Sequence, residues 1–303
     1  MKQPVVTYRG CVNAWECDQW GHQNVQFYLS KASDAQAALG AALGLPPSYF
    51  RQARRAVLPV ADRILFRREL RAGDILAIRS GVRSLDPAGT LRFFSAMRNE
   101  DTGGPAAFFE TQARLTDLAS GAAIPWPEPV LERAAALAGP FPDIPPPPDI
   151  TGPRAPGRVA EGLVLTYRGS VESWECDETG TMPPRFHIAR FADCANQLFR
   201  HLGIAKGALR EQNIGTAALD YDILYRVPVQ VGQTVEIKSG LLEVREKVFR
   251  FFHHLLDSAS GEILTSIEVA AVFFDLTARK SVPAPEAMRA NAHRLLVAAS
   301  GVI

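Results

Sequence analysis

Residues 7–21 read TYRGCVNAWECDQWG and residues 166–180 read TYRGSVESWECDETG, an offset of 159 with ten of the fifteen positions identical. An internal repeat sets the architecture, because each copy must be one structural unit. The same offset runs on. Ile64-Leu65-Phe66-Arg67 answers Ile223-Leu224-Tyr225-Arg226, Gly73 answers Gly232 and Gly81 answers Gly240. After a one-residue slip, Arg92-Phe93-Phe94 answers Arg250-Phe251-Phe252, and Asp117-Leu118 answers Asp275-Leu276. Two domains are therefore expected, at 1–139 and 161–303, joined by a linker over 140–160. The copies part just past the opening stretch. The first continues His22-Gln23-Asn24-Val25-Gln26-Phe27-Tyr28, the second Thr181-Met182-Pro183-Pro184-Arg185-Phe186-His187. A duplicated scaffold with one altered polar cluster suggests two units that share one working site.

The linker contains eight prolines between 140 and 157 and reads as an extended, semi-rigid segment. With 303 residues and a hydrophobic share of 47%, each copy can build its own core. A net charge of +1 gives no global pull toward nucleic acid or an anionic membrane, and neither is expected as a partner. No run approaches the 18 or so apolar residues that read as a membrane span. The opening MKQPVVTYRG shows no secretory h-region, so a cytoplasmic location is expected. The four cysteines, Cys11, Cys17, Cys176 and Cys194, match no zinc spacing and read as small buried thiols. His253-His254 lies in a strand-like run, where neighbours face opposite ways, so the pair is no chelate; no metal and no cofactor are expected.

Within each copy the order of elements is legible. A stretch rich in Val, Tyr and Trp reads as a strand ending at the Asp-x-x-Gly turn. A helix is expected at Val25–Leu43 and again at Phe186–Leu202, each stopped by a glycine, Gly44 or Gly203. The many alanines of the first helix suggest close enclosure on several sides. Four strands follow in each copy: 61–70, 74–85, 90–100 and 106–118, then 220–229, 234–244, 248–257 and 262–276. Helical patterns close the copies at 128–138 and 286–299. The fold class is α+β, an antiparallel sheet wrapped around a central helix, twice.

Asp18-x-x-Gly21-His22-x-Asn24-x-x-x-Tyr28, followed by a helix and the strand-turn Ala72-Gly73-Asp74, resembles the hotdog-fold acyl-CoA thioesterases of the 4-hydroxybenzoyl-CoA thioesterase type. The resemblance covers each repeat nearly end to end and implies a tandem hotdog protein. It further implies that the two units pack as an intramolecular pseudo-dimer, with further oligomerisation open. The substrate implied is an acyl-CoA thioester, and Asp18 is implied to activate water or to attack the thioester itself. The backbone N–H near Val25 would then polarise the carbonyl.

The residue chemistry agrees with that assignment. A carboxylate ahead of a helix can serve as base or nucleophile, and free N–H groups of the first turn favour developing negative charge. His22 and Asn24 complete the catalytic set. His22 either orients the carboxylate or simply bonds locally, and Asn24 is as good a helix N-cap as a substrate contact. Gly21, Val25, Tyr28 and Trp20 are expected around the substrate. Several arginines between Arg51 and Arg71 are candidates for coenzyme A phosphates. In the second copy Thr181 and Pro183 replace His22 and Asn24, while Asp177 and His187 remain as equivalents. The Pro183-Pro184 pair suits a helix start but removes two backbone donors. Two rivals stand beside a CoA thioesterase: an enzyme acting on acyl carrier protein, and a non-catalytic acyl-CoA-binding module.

Overall fold

The computed structural model describes residues 4–86, 89–139 and 154–297. It divides into two compact units. The first comprises Met1–Pro147 with Cys176–Ile188, the second Pro148–Glu175 with Ala189–Ile303. Of the expected linker, residues 140–153 lie outside the described residues, as does the tail of the closing helical pattern, 298–299. The linker's described end is anchored in the second unit. There Arg154 reaches Asp222 (2.5 Å) and Glu268 (3.2 Å), and the Ala155 N–H donates to Glu268 at 2.8 Å.

The first unit holds β1 (Val5–Cys11), α1 (Val25–Ala42), α2 (Pro47–Ala53), β2 (Arg55–Phe66), β3 (Ile75–Leu85), β4 (Leu91–Asn99), β5 (Pro105–Asp117) and α3 (Glu128–Leu137). The strands run antiparallel in the order β1-β3-β4-β5-β2. Helix α1 packs across β1, β3 and β4. Leu39 of α1, Leu43 and Leu45 after it, Val82, Leu91, Phe93 and Leu115 of the sheet, and Val130 and Ala134 of α3 form one buried cluster. The expected stop at Gly44 is present as a Schellman turn. Gly44 has φ +86°, and the Leu45 N–H closes on the Gly40 carbonyl at 2.9 Å.

The second copy of the repeat follows the same plan with β6 (Val164–Ser170), α4 (Pro184–His201), α5 (Lys206–Glu211), β7 (Ile214–Tyr225), β8 (Thr234–Val244), β9 (Val248–Asp257), β10 (Ile263–Asp275), β11 (Ser281–Val282) and α6 (Glu286–Asn291). Its strands run antiparallel in the order β6-β8-β9-β10-β7, with β11 on β10. Phe199 of α4 packs edge-on against Phe249 and Phe251, which fixes the helix on the sheet. Each copy of the repeat is thus an antiparallel sheet curled on one long helix, the hotdog arrangement.

Several local expectations are corrected. The first strand stops at Cys11, and Ala14–Glu16 form a 3-10 turn that carries Trp15 out to solvent. Helix α1 is enclosed on one side only. Tyr28, Leu29, Ala32, Ala35 and Leu39 are buried, whereas Ala37, Ala38, Ala41 and Ala42 are exposed. Alanine is the best helix former, and an alanine face can stay in water at little cost. Strands β2 and β7 begin about six residues earlier than their apolar cores suggest, and the short helices α2 and α5 carry no strong periodic signal. The closing helical pattern is helical only at Glu286–Asn291, with a 3-10 turn at Ala292–Arg294. Of the four cysteines only Cys194 is buried, and Cys11 is exposed.

Candidate active site

The turn carrying Asp18 is built by its own carboxylate. Oδ1 accepts the backbone N–H of Trp20 at 2.8 Å and that of His22 at 3.4 Å. The Asp18 N–H in turn reaches the His22 carbonyl at 2.8 Å. Gly21 lies at φ +75°, a conformation L side chains rarely adopt. A Cβ there would meet nothing within 4 Å, so the backbone angle and not crowding calls for glycine. The second copy forms the same turn. Asp177 Oδ1 accepts from Thr179 and Thr181, and Gly180 lies at φ +78°. The aspartate therefore has a structural task in both copies, carried by Oδ1 in each.

Helix α1 starts where the sequence predicts. Asn24 is its N-cap, with Oδ1 accepting the Gln26 N–H at 3.1 Å, so this side chain serves the helix. The Phe27 N–H closes on the Asn24 carbonyl, while the Val25 N–H has no hydrogen-bond partner among the described residues. The offset of 159 maps Val25 onto Pro184, the first residue of α4. The same helix position thus offers a donor in one copy and none in the other.

His22 and Tyr28 turn toward a short stretch between β2 and β3. The buried His22 imidazole places Nε2 3.2 Å from Glu69 Oε2 and 3.2 Å from Arg71 Nη2. Its contact with Asp18 runs through the backbone. The Tyr28 hydroxyl accepts the Leu70 N–H at 2.9 Å and donates to the Arg68 carbonyl at 3.3 Å. Burial holds its pKa far above the ordinary phenol value, so it remains a neutral hydroxyl. Trp20 is half-buried on the turn, and Trp15 meets Phe27 of α1 edge-on at 5.3 Å. In the second copy His187 bonds the Met182 carbonyl at 3.1 Å, inside its own segment.

One feature of the site lies outside the sequence reading. Glu16, in the 3-10 turn, is buried and paired with Lys31 of α1 at 2.9 Å, and Lys31 also donates to the Cys11 carbonyl at 3.0 Å. Burial alone would pull the ammonium's pKa down; the hydrogen bond to Glu16 and the nearby Tyr8 outweigh it and hold the pKa above the usual lysine value. Glu175 and Arg190 form the corresponding pair at 2.5 Å, and Arg190 donates to the Ser170 carbonyl. These pairs tie the end of the first strand and the 3-10 turn to the helix on either side of the aspartate turn. A usable signal was present in the sequence: an acid and a base fifteen residues apart in both copies.

Among the described residues no helix is long and apolar enough to cross a membrane, and no group of His, Cys, Asp and Glu could hold a metal ion. The chain matches the thioesterase-like superfamily over residues 12–134 and again over 171–292, and it belongs to that family. A relative from Rhizobium meliloti (strain 1021), the L-carnitine dehydrogenase/betainyl-CoA thioesterase, is 28% identical over 132 residues. That match takes in 44% of this chain and 26% of the relative, so the chain spans about a quarter of the length of that protein. Among solved structures, a protein assigned as an oleoyl thioesterase from Lactobacillus plantarum superposes with a TM-score of 0.70 at 13% identity, covering 93% of this chain and 98% of that one. An acyl-ACP thioesterase from Bacteroides thetaiotaomicron gives 0.64 at 11% identity, covering 88% and 96%. At such identities these structures establish the fold.

Proposed function

We propose that this protein hydrolyses an acyl-CoA thioester at a single site in its first copy. The Val25 N–H, at the positive end of α1, would receive the thioester carbonyl and favour the charge that builds on its oxygen. Asp18, through Oδ2, would take a proton from water as that water adds to the carbonyl carbon, or attack the carbon itself. The carbon–sulfur bond then breaks, and the thiolate of coenzyme A leaves and takes up a proton; on the second route this leaves an acyl-aspartyl anhydride, which water then cleaves to release the acid and restore the Asp18 carboxylate. The products are the free acid and coenzyme A. No metal or cofactor enters the scheme.

The observation that carries this reading is the contrast at one helix position. Seven residues after Asp18, Val25 keeps a backbone donor without a hydrogen-bond partner among the described residues, whereas Pro184, seven after Asp177, has no donor. Membership in the thioesterase-like superfamily supports the reaction class, and the betainyl-CoA thioesterase part of the Rhizobium relative's name supports coenzyme A as carrier. We further propose that the two units pair as an intramolecular pseudo-dimer and that the protein acts in the cytoplasm.

The test is thiol release from a panel of short, aromatic, long-chain and cationic acyl-CoA esters, betainyl-CoA among them. Hydrolysis of at least one class is expected. Hydrolysis of acyl carrier protein esters alone would replace the carrier, and hydrolysis of neither would replace the enzyme with a binding module.

A further inference from the structure

Four consecutive residues between β2 and β3, Arg68 to Arg71, each bond a member of the motif segment His22–Tyr28. The Arg68 carbonyl accepts the Tyr28 hydroxyl, and Glu69 faces His22 Nε2. Leu70 bonds twice, its N–H to the Tyr28 hydroxyl and its carbonyl to the Gln23 N–H at 2.7 Å. Arg71 completes the set with its guanidinium on His22 and a bridge to the His22 backbone. The stretch is itself held in place, since the N–H groups of Arg67 and Arg68 both reach the Ala106 carbonyl at the start of β5.

Two halves of the proposed chemistry therefore rest on one base plate. His22 carries the far side of the Asp18 turn, and Tyr28 lies one turn into the helix whose first N–H is that of Val25. Any shift of Arg68–Arg71 would move the carboxylate and the donor relative to one another. The second copy has exchanged the side chains around Leu70, whose counterpart is Val229: Thr181 stands for His22, His187 for Tyr28, and Val227, Pro228 and Gln230 for Arg68, Glu69 and Arg71. Loss of these positions together, in the copy that also lost the helix-start donor, is what one working set would show.

We infer that Glu69 and Arg71, acting through His22, and Leu70, acting through Tyr28, are positioning residues that set Asp18 against the Val25 N–H. This rests on the thioesterase reading above. Positioning acts on the transition state more than on ground-state binding, so its loss lowers kcat more than it raises KM.

The experiment is a cycle of Glu69→Gln, His22→Gln and the double variant, with Tyr28→Phe alongside, on whichever acyl-CoA the wild type hydrolyses. Assays are run well below each variant's Tm. Each single variant should lose about tenfold or more in kcat with KM changed by less than about threefold. The double variant should fall little further than His22→Gln, because Glu69 acts through that ring. Three results would overturn the inference alone: kcat within about twofold of wild type in Glu69→Gln, losses that multiply in the double variant, or losses confined to Tm. Absence of hydrolysis in the wild type would instead overturn the thioesterase reading, and this inference with it.

Discussion

At the residue scale, Asp18 and Asp177 do the same backbone work, since each accepts the N–H groups two and four residues on. A carboxylate that closes its own turn would be kept for folding alone, so its presence in both copies does not mark two active sites. The discriminating atom is a hydrogen. Replacing Val25 by proline should delete the carbonyl donor while leaving α1 intact, because proline is accepted at the first helical position and α4 already starts with one. Val25→Pro is expected to lose about a hundredfold or more in kcat, the range for one oxyanion donor. Tm should stay within a few degrees, measured on the same sample. Unchanged turnover would remove Val25 from the mechanism.

At the scale of elements, the buried pairs Glu16–Lys31 and Glu175–Arg190 fasten each first strand and 3-10 turn to its helix. Removing one partner of a buried pair strands the other charge, so Lys31→Met should destabilise the fold by about 3–5 kcal/mol in denaturant unfolding. Lys31→Met with Glu16→Gln should recover part of that loss, since no buried charge is left over. A second element-level contrast is the polar row across each sheet. Thr7–Ser80–Ser95 in the first unit becomes Thr166–Ser239–His253 in the second, with the His253 ring stacked on Phe191 at 5.7 Å.

Burial, and secondarily His254, pushes the His253 pKa from 6.5 down to about 3. The unfolded chain therefore takes up this proton first. Its contribution to stability is complete above pH 6.5 and declines as the pH falls from there toward 3. His253→Ser, which restores the first copy's residue, should flatten the acid side of the stability–pH curve in urea unfolding between pH 6.5 and 4. An unchanged slope would mean that other groups carry the acid sensitivity. Much at this scale was legible beforehand: the start of α1 and both glycine stops, and the β8 and β9 bounds to the residue, while α4 starts two residues before the expected Phe186. Less legible were the pieces fixed by tertiary contact. The 3-10 turns depend on a buried glutamate meeting a distant cation, and the exposed alanine face of α1 looks apolar in sequence although it meets water.

At the scale of the whole chain, duplication relaxes the demand that both copies carry chemistry. The repeat, the fold class and the asymmetry at 22–24 and 181–183 could all be read from the sequence, because they are matters of identity and spacing. Local uses, such as the Asn24 helix cap, could be read as well, but the partners of His22 and Tyr28 could not, because they lie far along the chain. His22 faces Glu69 and Arg71 across nearly fifty residues of sequence. A second copy that keeps Asp177 and its turn, yet starts α4 on proline, reads as scaffold retained after the working parts were exchanged. That account is tested most directly by measuring kcat of Asp18→Asn beside Asp177→Asn on the same acyl-CoA, with Tm recorded for both. The account predicts that Asp18→Asn abolishes turnover while Asp177→Asn keeps it within about threefold of wild type, at similar cost in Tm. Equal losses of turnover in the two variants, or loss only in Asp177→Asn, would contradict it.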